Sequence, residues 1–325
     1  MNVLVTGGAG YVGSIVAEEL LNKGYKVVIL DNLQQGHKEA VLPEAELVTA
    51  DICDAEALGR DFHRYQIDAV MHMAAETVIE YSMTDPRRYF HNNIVGGINL
   101  LDIMLKHQVD KLIFSSSAAI YGEPQSTPIE EDHPKLPVNS YGESKLMFEQ
   151  ILNWYGKAYG LKHVSLRYFN AAGATELLGE DHRPETHLIP NVLKAALDKD
   201  NPVSIFGTDY PTKDGSCIRD YVHITDIAQA HILALERIEQ LSARAYNLGN
   251  GEGYSVLEVL EAAKKVAGTD IPIEISPRRP GDPAVLVASS ERARSELGWK
   301  PQFTELGSIV DSAWKWMRKH PKGYE

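Results

Sequence analysis

The sequence predicts an α/β protein built on a doubly wound parallel sheet, with a smaller α/β region in its C-terminal half. Short apolar runs alternate with helix-patterned stretches from Val3 through Phe114, and a glycine loop separates the first run from the first helix. The 325 residues, 44% hydrophobic and 24% charged, suffice for one large core or two unequal ones.

Val3-Leu4-Val5 reads as a strand, followed by Gly7-Gly8-Ala9-Gly10-Tyr11-Val12-Gly13 and a helical pattern from Ile15 to Leu21 that Gly24 ends. Gly7, Gly10 and Gly13 stand at GxxGxxG spacing. Small residues there let backbone approach a pyrophosphate, while the helix N-terminus offers N–H groups and a favourable dipole. A second strand, Lys26 to Leu30, ends in Asp31, about 20 residues on, where a carboxylate accepts from an adenosine ribose diol. The same carboxylate repels a 2′-phosphate, so NAD rather than NADP is the expected cofactor.

The alternation continues through strand Leu47-Val48-Thr49, a helix near Ala55 to Tyr65, strand Ile67 to Met71, a long helix near Arg87 to His107 and strand Lys111 to Phe114. Ligands of such sheets bind at the carboxyl ends of the strands. Asp51-Ile52, Ala74-Ala75 and Ser115-Ser116-Ser117 fall there, Asp51 where it can meet the adenine amine and the two alanines where they leave room for the cofactor.

Ser140-Tyr141-Gly142-Glu143-Ser144-Lys145 sets a phenol and an ammonium four residues apart on one helix face. Ser140 with Glu143 reads as a capping box that starts this helix. Free tyrosine titrates near 10, but an adjacent ammonium and a second cation favour the phenolate, which makes Tyr141 a usable proton acceptor.

A net charge of −13 opposes general affinity for nucleic acid or anionic membrane. No apolar run approaches the ~18 residues of a membrane span, and Met1 leads into Asn2-Val3-Leu4 without a basic leader. A cytoplasmic protein is expected. Cys53 and Cys217 are too few for a disulfide framework and read as small buried residues; the 12 histidines show no HExxH or comparable spacing, so no metal is expected.

After Phe169 the alternation loosens into a loop-rich stretch from Thr175 to Glu185, then a helix near Ile189 to Asp198. The chain returns to the first domain through a helix near Asp226 to Glu239 and strand Ala245-Tyr246-Asn247-Leu248. The expected division is residues 1–173 with segments near 224–250 as the dinucleotide domain, and 174–325 mainly as the substrate domain. Gly249-Asn250-Gly251-Glu252-Gly253 lacks the Lys-Ser/Thr of a phosphate loop and reads as a turn before a helix from Ser255 to Ala267.

Together with the triple serine and Tyr141-x-x-x-Lys145, the motifs Arg167-Tyr168-Phe169-Asn170-Ala171-Ala172-Gly173, His187-Leu188-Ile189-Pro190, Arg219-Asp220-Tyr221-Val222-His223 and Arg278-Arg279-Pro280-Gly281-Asp282 carry a resemblance. Over its full length the chain resembles the extended short-chain dehydrogenase/reductase family, and within it the nucleotide-sugar epimerases. The resemblance implies a Rossmann domain holding NAD, with Tyr11, Val12, Asn32, Ser115, Tyr141, Lys145 and Tyr168 joining the glycine loop, Asp31, Asp51, Ile52, Ala74 and Ala75.

It further implies a UDP-hexose substrate between the domains, contacted by Ser117, Tyr141, Asn170, Leu188, Arg219, Arg279 and Asp282. Guanidinium forks match phosphate oxygens, and a carboxylate accepts from a ribose diol. Tyr221 and His223 read as packing residues. The implied reaction inverts C4, exchanging galactose and glucose through a transient ketone, with Tyr141 as base, Ser117 on the same hydroxyl and Lys145 beside them. Ser117-Ala118-Ala119 stands where the family's 4,6-dehydratases carry Thr-Asp-Glu, so the acid pair for water elimination is missing. Leu286 falls where the family gates the sugar pocket by residue size; N-acetylhexosamine, pentose and uronate substrates stay open, and a non-catalytic NAD sensor is the remote alternative. A homodimer is implied, joined through helices near Arg87 to His107 and Met147 to Tyr159, with Leu100, Leu101, Met104 and Leu152 either at that interface or in the core.

Overall fold

The computed structural model describes residues 1–242, 244–279 and 282–325. The chain opens with β1 (Asn2–Thr6), α1 (Tyr11–Asn22), β2 (Lys26–Asp31), β3 (Glu46–Thr49), α2 (Ala55–Tyr65) and β4 (Ala69–His72), followed by the short helices α3 (Ile79–Thr84) and α4 (Pro86–Phe90). Then come α5 (Gly97–Lys106), β5 (Lys111–Ser117), α6 (Ser140–Tyr159), β6 (Lys162–Tyr168), β7 (Asn170–Ala172), α7 (Leu188–Leu197), β8 (Val203–Phe206), β9 (Ile218–Arg219), β10 (Tyr221–His223) and α8 (Ile224–Arg237). The chain ends with β11 (Ala245–Leu248), β12 (Tyr254–Ser255), α9 (Val256–Ala267), β13 (Ile273–Ser276), β14 (Val285–Leu286) and α10 (Leu306–Lys319).

Seven strands form one sheet in the order β11-β6-β5-β4-β1-β2-β3, every pair parallel. Helices cover both faces, which is why the strands are nearly continuous in apolar residues. Along β1, Val3 and Val5 point into a core shared with α1 and α8, while Leu4 joins the opposite core with α2, α5 and α6. Each fully buried Leu, Ile or Val here contributes roughly 1.5–3 kcal/mol. A separate core joins α7, α9 and α10 through Ile189, Val192, Val259, Leu260, Ile309 and Trp316. Beside it lie the small sheets β7–β10, β8–β13 and β12-β9-β14.

Two helices differ in detail from the sequence reading. The long helix expected from Arg87 to His107 runs without interruption from Pro86, under an Asp85 cap, to Lys106, but His91–Gly96 forms a π-helical turn within it, between α4 and α5. That turn carries Asn93, whose amide donates to Ser144 Oγ at 2.9 Å and whose carbonyl oxygen accepts from Glu76 N at 2.8 Å. The cap of α6 is Asn139, whose Oδ1 accepts from Gly142 N at 2.8 Å, and not Ser140. Ser140 is already helical and donates to the Ser82 carbonyl, so the expected Ser140–Glu143 capping box does not form. The capping box does form at α9, between Ser255 and Glu258. The Gly249 to Gly253 stretch is the expected turn; Asn250 N and Gly251 N donate to the buried Asp220 carboxylate at 2.8 and 3.1 Å.

Candidate active site

The carboxyl ends of β1, β2, β4 and β5 bring the predicted dinucleotide residues together. Gly7 has φ +70, and a Cβ on it would lie 2.6 Å from Ala74 N; a Cβ on Gly13 would lie 2.1 Å from Gly7 O. Both glycines are required by close backbone contact. Gly10 is different: it caps α1 in extended conformation, and a Cβ there would meet only Gly7 O, at 3.4 Å. The space beside the first N–H groups of α1 is therefore kept open by a residue the fold itself does not need small, which fits a pyrophosphate.

Tyr11 is the first residue of α1, its hydroxyl donating to the Gly173 carbonyl at 2.7 Å, and Val12 packs on the sheet core. Asp31 ends β2 and accepts from Ala9 N at 3.0 Å and Leu33 N at 2.9 Å. A carboxylate has about four acceptor positions, so two remain for a diol. Burial raises the Asp31 pKa against these backbone bonds. Asn32 donates to Asp51 Oδ2 at 3.0 Å, and Asp51 Oδ1 accepts from Cys53 N at 2.8 Å. Burial works to raise the Asp51 pKa, and these bonds carry it below its ordinary value. Ile52 is buried, and Ala74 and Ala75 follow β4 after Met73. This constellation fits an NAD.

Tyr141 and Lys145 fall on the first turns of α6, facing the end of β5. Lys145 Nζ donates to the Ser115 carbonyl at 2.8 Å and lies 5.8 Å from the Tyr141 ring centre. Ser117 ends β5, its Oγ accepting from Ala119 N at 3.1 Å, and hydrogen bonding between its hydroxyl and the Tyr141 phenol would favour the phenolate. In the protein alone burial outweighs that bond and holds the phenol above its ordinary value, so the expected lowering by Lys145 is not what the geometry provides unaided. Burial also lowers Lys145 to about 7, against the pull of Glu149. Tyr168, at the end of β6, completes the group beside Tyr141 and Ser115. Ser115 is fixed in turn by His231. The His231 Nδ1–H donates to the Ile227 carbonyl at 2.9 Å, which leaves Nε2 to accept from Ser115 Oγ at 2.9 Å. Burial holds that imidazole down to about 4, so it is neutral.

One buried network beneath the site is absent from the sequence reading. Glu149, one turn beyond Lys145, binds Arg167 through both oxygens at 2.9 and 2.6 Å and accepts from Ser116 Oγ at 2.6 Å. Arg167 Nη1 donates to Tyr121 Oη and to the Glu131 carbonyl, both at 3.0 Å. The signal was the i, i+4 extension of the motif, Tyr141-Lys145-Glu149, with an apolar strand carrying Arg167.

Among the residues expected to meet the substrate, β9 and β14 pair with Leu286 opposite Arg219. Arg219 Nη2 donates to Asp282 Oδ1, and Arg279 stacks on Phe206 with its guanidinium 3.9 Å from the ring centre. Pro280 and Gly281 of that motif lie outside the described residues. Asn170 begins β7 and its amide donates to the Asp220 carbonyl at 3.0 Å. Leu188 is the first residue of α7. Leu286 packs against the cluster of Ala118, Ile120, Tyr121 and Phe169, next to the Ser117 loop. Tyr221 and His223 lie in the packing, Tyr221 in the second core and His223 against the Phe303 ring.

One expectation is corrected, and one left open is decided. Cys217 is buried, but Cys53 is half-buried beside His91, with burial pushing its thiol up to about 11. Of the two alternatives for Leu100, Leu101, Met104 and Leu152, the core is the one observed, since all four are fully buried within the chain; on the same stretches Val95, Trp154 and Tyr159 are exposed. No metal-ligating cluster is read from the sequence, yet the fold gathers Glu180, His182, Glu185 and His187 with donor atoms all within 4.8 Å of one another. Its signal was two Glu-x-His dyads, starting at Glu180 and Glu185. No helix among the described residues is long and apolar enough to cross a membrane.

The profile of the NAD dependent epimerase/dehydratase family matches residues 3–249. The UDP-glucose 4-epimerase of Halalkalibacterium halodurans is 50% identical over 327 residues, covering 100% of this chain and 98% of its own. That of Lacticaseibacillus casei is 49% identical, covering 100% and 99%. The crystal structure of UDP-glucose 4-epimerase from Bifidobacterium longum in complex with NAD+ and UDP superposes with a TM-score of 0.95 at 40% identity, over 99% of this chain and 100% of that one. An identity near one half, held end to end, places the chain in the NAD dependent epimerase/dehydratase family, among the UDP-glucose 4-epimerases.

Proposed function

We propose that this chain interconverts UDP-galactose and UDP-glucose by inverting C4 of the hexose through a transient 4-keto sugar. The observation that carries the reading is the placement of Tyr141 and Lys145 on the first turns of α6, Lys145 Nζ anchored on the Ser115 carbonyl at 2.8 Å and 5.8 Å from the Tyr141 ring centre, at the carboxyl end of β5. Bound NAD supplies reversible hydride chemistry at C4 and a positive charge near the phenol. Tyr141 accepts the 4-hydroxyl proton, and Ser117 bridges that hydroxyl and the phenolate. Lys145, already hydrogen-bonded, is held within electrostatic reach of the same oxygen.

Arg219, Arg279 and Asp282 hold the uridine diphosphate by charge-assisted bonds, with Asn170 and Leu188 at its border. The sugar end is bordered by the apolar Leu286 and Ala118, which offer the hexose no charge-assisted bonds, so the keto sugar turns about its diphosphate linkage while the nucleotide stays fixed. Tyr141 then returns its proton on the other face.

In this reading residues 1–173 with 224–250 form the NAD domain and 174–325 the UDP-sugar domain; the parallel pairing of β11 with β6 supports the return of the chain to the sheet. A homodimer belongs to it as well, supported by the exposed Val95, Trp154 and Tyr159. So does a cytoplasmic location, supported by two free thiols.

Proton NMR of UDP-galactose with purified enzyme and no added cofactor tests the reading. Anomeric signals of UDP-glucose should appear and settle to one mixture from either direction. Tyr141→Phe should lower turnover at least ~10²-fold with NAD still bound; normal turnover in that variant removes Tyr141 from the mechanism.

A further inference from the structure

We propose that Glu180, His182, Glu185 and His187 bind one divalent metal ion, of the zinc type, which clamps the loop after β7 onto the start of α7. The four residues each offer one donor atom, and these atoms lie within 4.8 Å of one another. Two imidazole nitrogens and two carboxylate oxygens are the borderline-hard set, and four the number, that zinc takes in tetrahedral sites.

The spacing is close to what such an ion needs. Glu180 Oε1 lies 2.9 Å from His182 Nδ1 and 2.7 Å from His187 Nδ1, and Glu185 Oε1 lies 2.9 Å from His187 Nδ1. A tetrahedron with bonds near 2.1 Å has edges of about 3.4 Å, so these pairs part by roughly half an ångström to admit the metal.

Hydrogen bonds serve this cluster unevenly: Glu185 Oε1 accepts from Thr186 N and His187 N, both at 2.9 Å, while the other oxygen of that carboxylate is left over. His187 Nδ1 carries at most one proton yet faces two carboxylate oxygens. Glu185 Oε2 has no hydrogen-bond partner, and its nearest cation, Lys194 Nζ, is 3.9 Å away. Both carboxylates are nearly dry, with 6% and 5% of the Glu180 and Glu185 side chains exposed. Two carboxylates at such depth require positive charge against them, and a divalent ion matches their charge. The imidazoles lie on the wetter side, 22% exposed for His182 and 49% for His187, so an ion enters from solvent past the rings and meets the carboxylates below.

The position gives the ion a structural task. Glu180 shares a small cavity with Gly173, Ile189 and Pro190, and His187 immediately precedes α7, whose first residue is Leu188. Four ligands spread over eight residues of loop fix the entry angle of α7 without touching Ser117, Tyr141 or Lys145.

The test uses untagged full-length enzyme stripped with dipicolinate and titrated with Zn²⁺ by calorimetry and with Co²⁺ by visible absorption. One equivalent of zinc per chain, the intense bands of tetrahedral cobalt, and a melting temperature that rises with zinc are expected. His182→Ala and Glu185→Gln should each weaken zinc binding at least tenfold and remove the rise, with NAD content reporting that the variants are folded. A wild-type chain that binds well under one equivalent, or gives only the weak spectrum of octahedral cobalt, overturns the proposal whatever the variants do. Unchanged affinity in both folded variants overturns it equally, since the ion would then sit elsewhere. Epimerisation does not enter either readout, so the activity reading and the metal site fail independently.

Discussion

Glu149 and Arg167 close on each other in a buried, two-pronged ion pair, Oε1 to Nε at 2.9 Å and Oε2 to Nη2 at 2.6 Å, one turn of α6 past Lys145. The pair bolts the helix that carries Tyr141 and Lys145 to β6, and through Ser116 to β5. Removing one charge leaves the other stranded in a low-dielectric interior. Glu149→Gln should lower folding stability on the order of 3 kcal/mol and lower turnover by displacing the helix. The double variant Glu149→Gln/Arg167→Met should lose less stability than the two single variants summed. Equal or greater loss in the double variant, read from denaturant melts, would show that the pair is not coupled.

Lys145 sets a pH dependence. Its folded value of about 7 lies below the 10.5 of the exposed side chain, chiefly through burial. Between these values the unfolded chain binds more protons than the folded one, so this group makes stability rise with pH across that window, by up to about 1.4 kcal/mol per unit. Below pH 7 the cost of the buried charge is present in full. Lys145→Met removes the charge, so its melting-temperature advantage over the native chain should be greatest below pH 7 and shrink steadily toward pH 10.5. A pH-independent difference would mean that the lysine does not titrate in the folded protein.

The glycine loop separates fold from ligand. Gly13→Ala places a methyl 2.1 Å from Gly7 O and should lower the melting temperature and abolish NAD retention together. Gly10→Ala meets nothing nearer than 3.4 Å, so it should stay within about 1 kcal/mol of the native chain in stability while losing most of its NAD. Absorbance of nucleotide released on heating measures retention. A Gly10→Ala protein that keeps its full complement would move the pyrophosphate away from α1.

Leu286 faces the Ser117 loop from β14, and a larger side chain there narrows the sugar end of the site. Leu286→Tyr should hold turnover of UDP-galactose within about threefold and lower the kcat/KM ratio of UDP-N-acetylgalactosamine to UDP-galactose at least tenfold, a gain of ~1.4 kcal/mol in discrimination against the N-acetyl sugar. An unchanged ratio would show that residue 286 does not border the N-acetyl position.

The doubly wound sheet, the glycine loop, Asp31 and the Tyr141–Lys145 pair were all legible in the residues alone, because each rests on local periodicity or on spacing within one turn. The family resemblance extended that reading to Arg219, Arg279 and Asp282. What escaped was non-local or depended on competition between neighbours. Asn139 outcompetes Ser140 for the α6 cap because Ser140 is engaged by the Ser82 carbonyl, 58 residues away in sequence. The expected long helix holds, but within it lies a π-helical turn that carries Asn93, whose partners are Glu76 and Ser144.

Sequence by itself determined the architecture and singled out the candidate reacting groups, since hydrophobic alternation and the i, i+4 rule operate along the chain. Only the tertiary structure decided their electrostatics. Burial raises the Tyr141 phenol and lowers the Lys145 ammonium, Glu149 and Arg167 neutralise each other beneath them, and two Glu-x-His dyads turn inward to face one another. The physical reason is that desolvation and pairing depend on which distant segments exclude water from a group, and that is a property of the packed core.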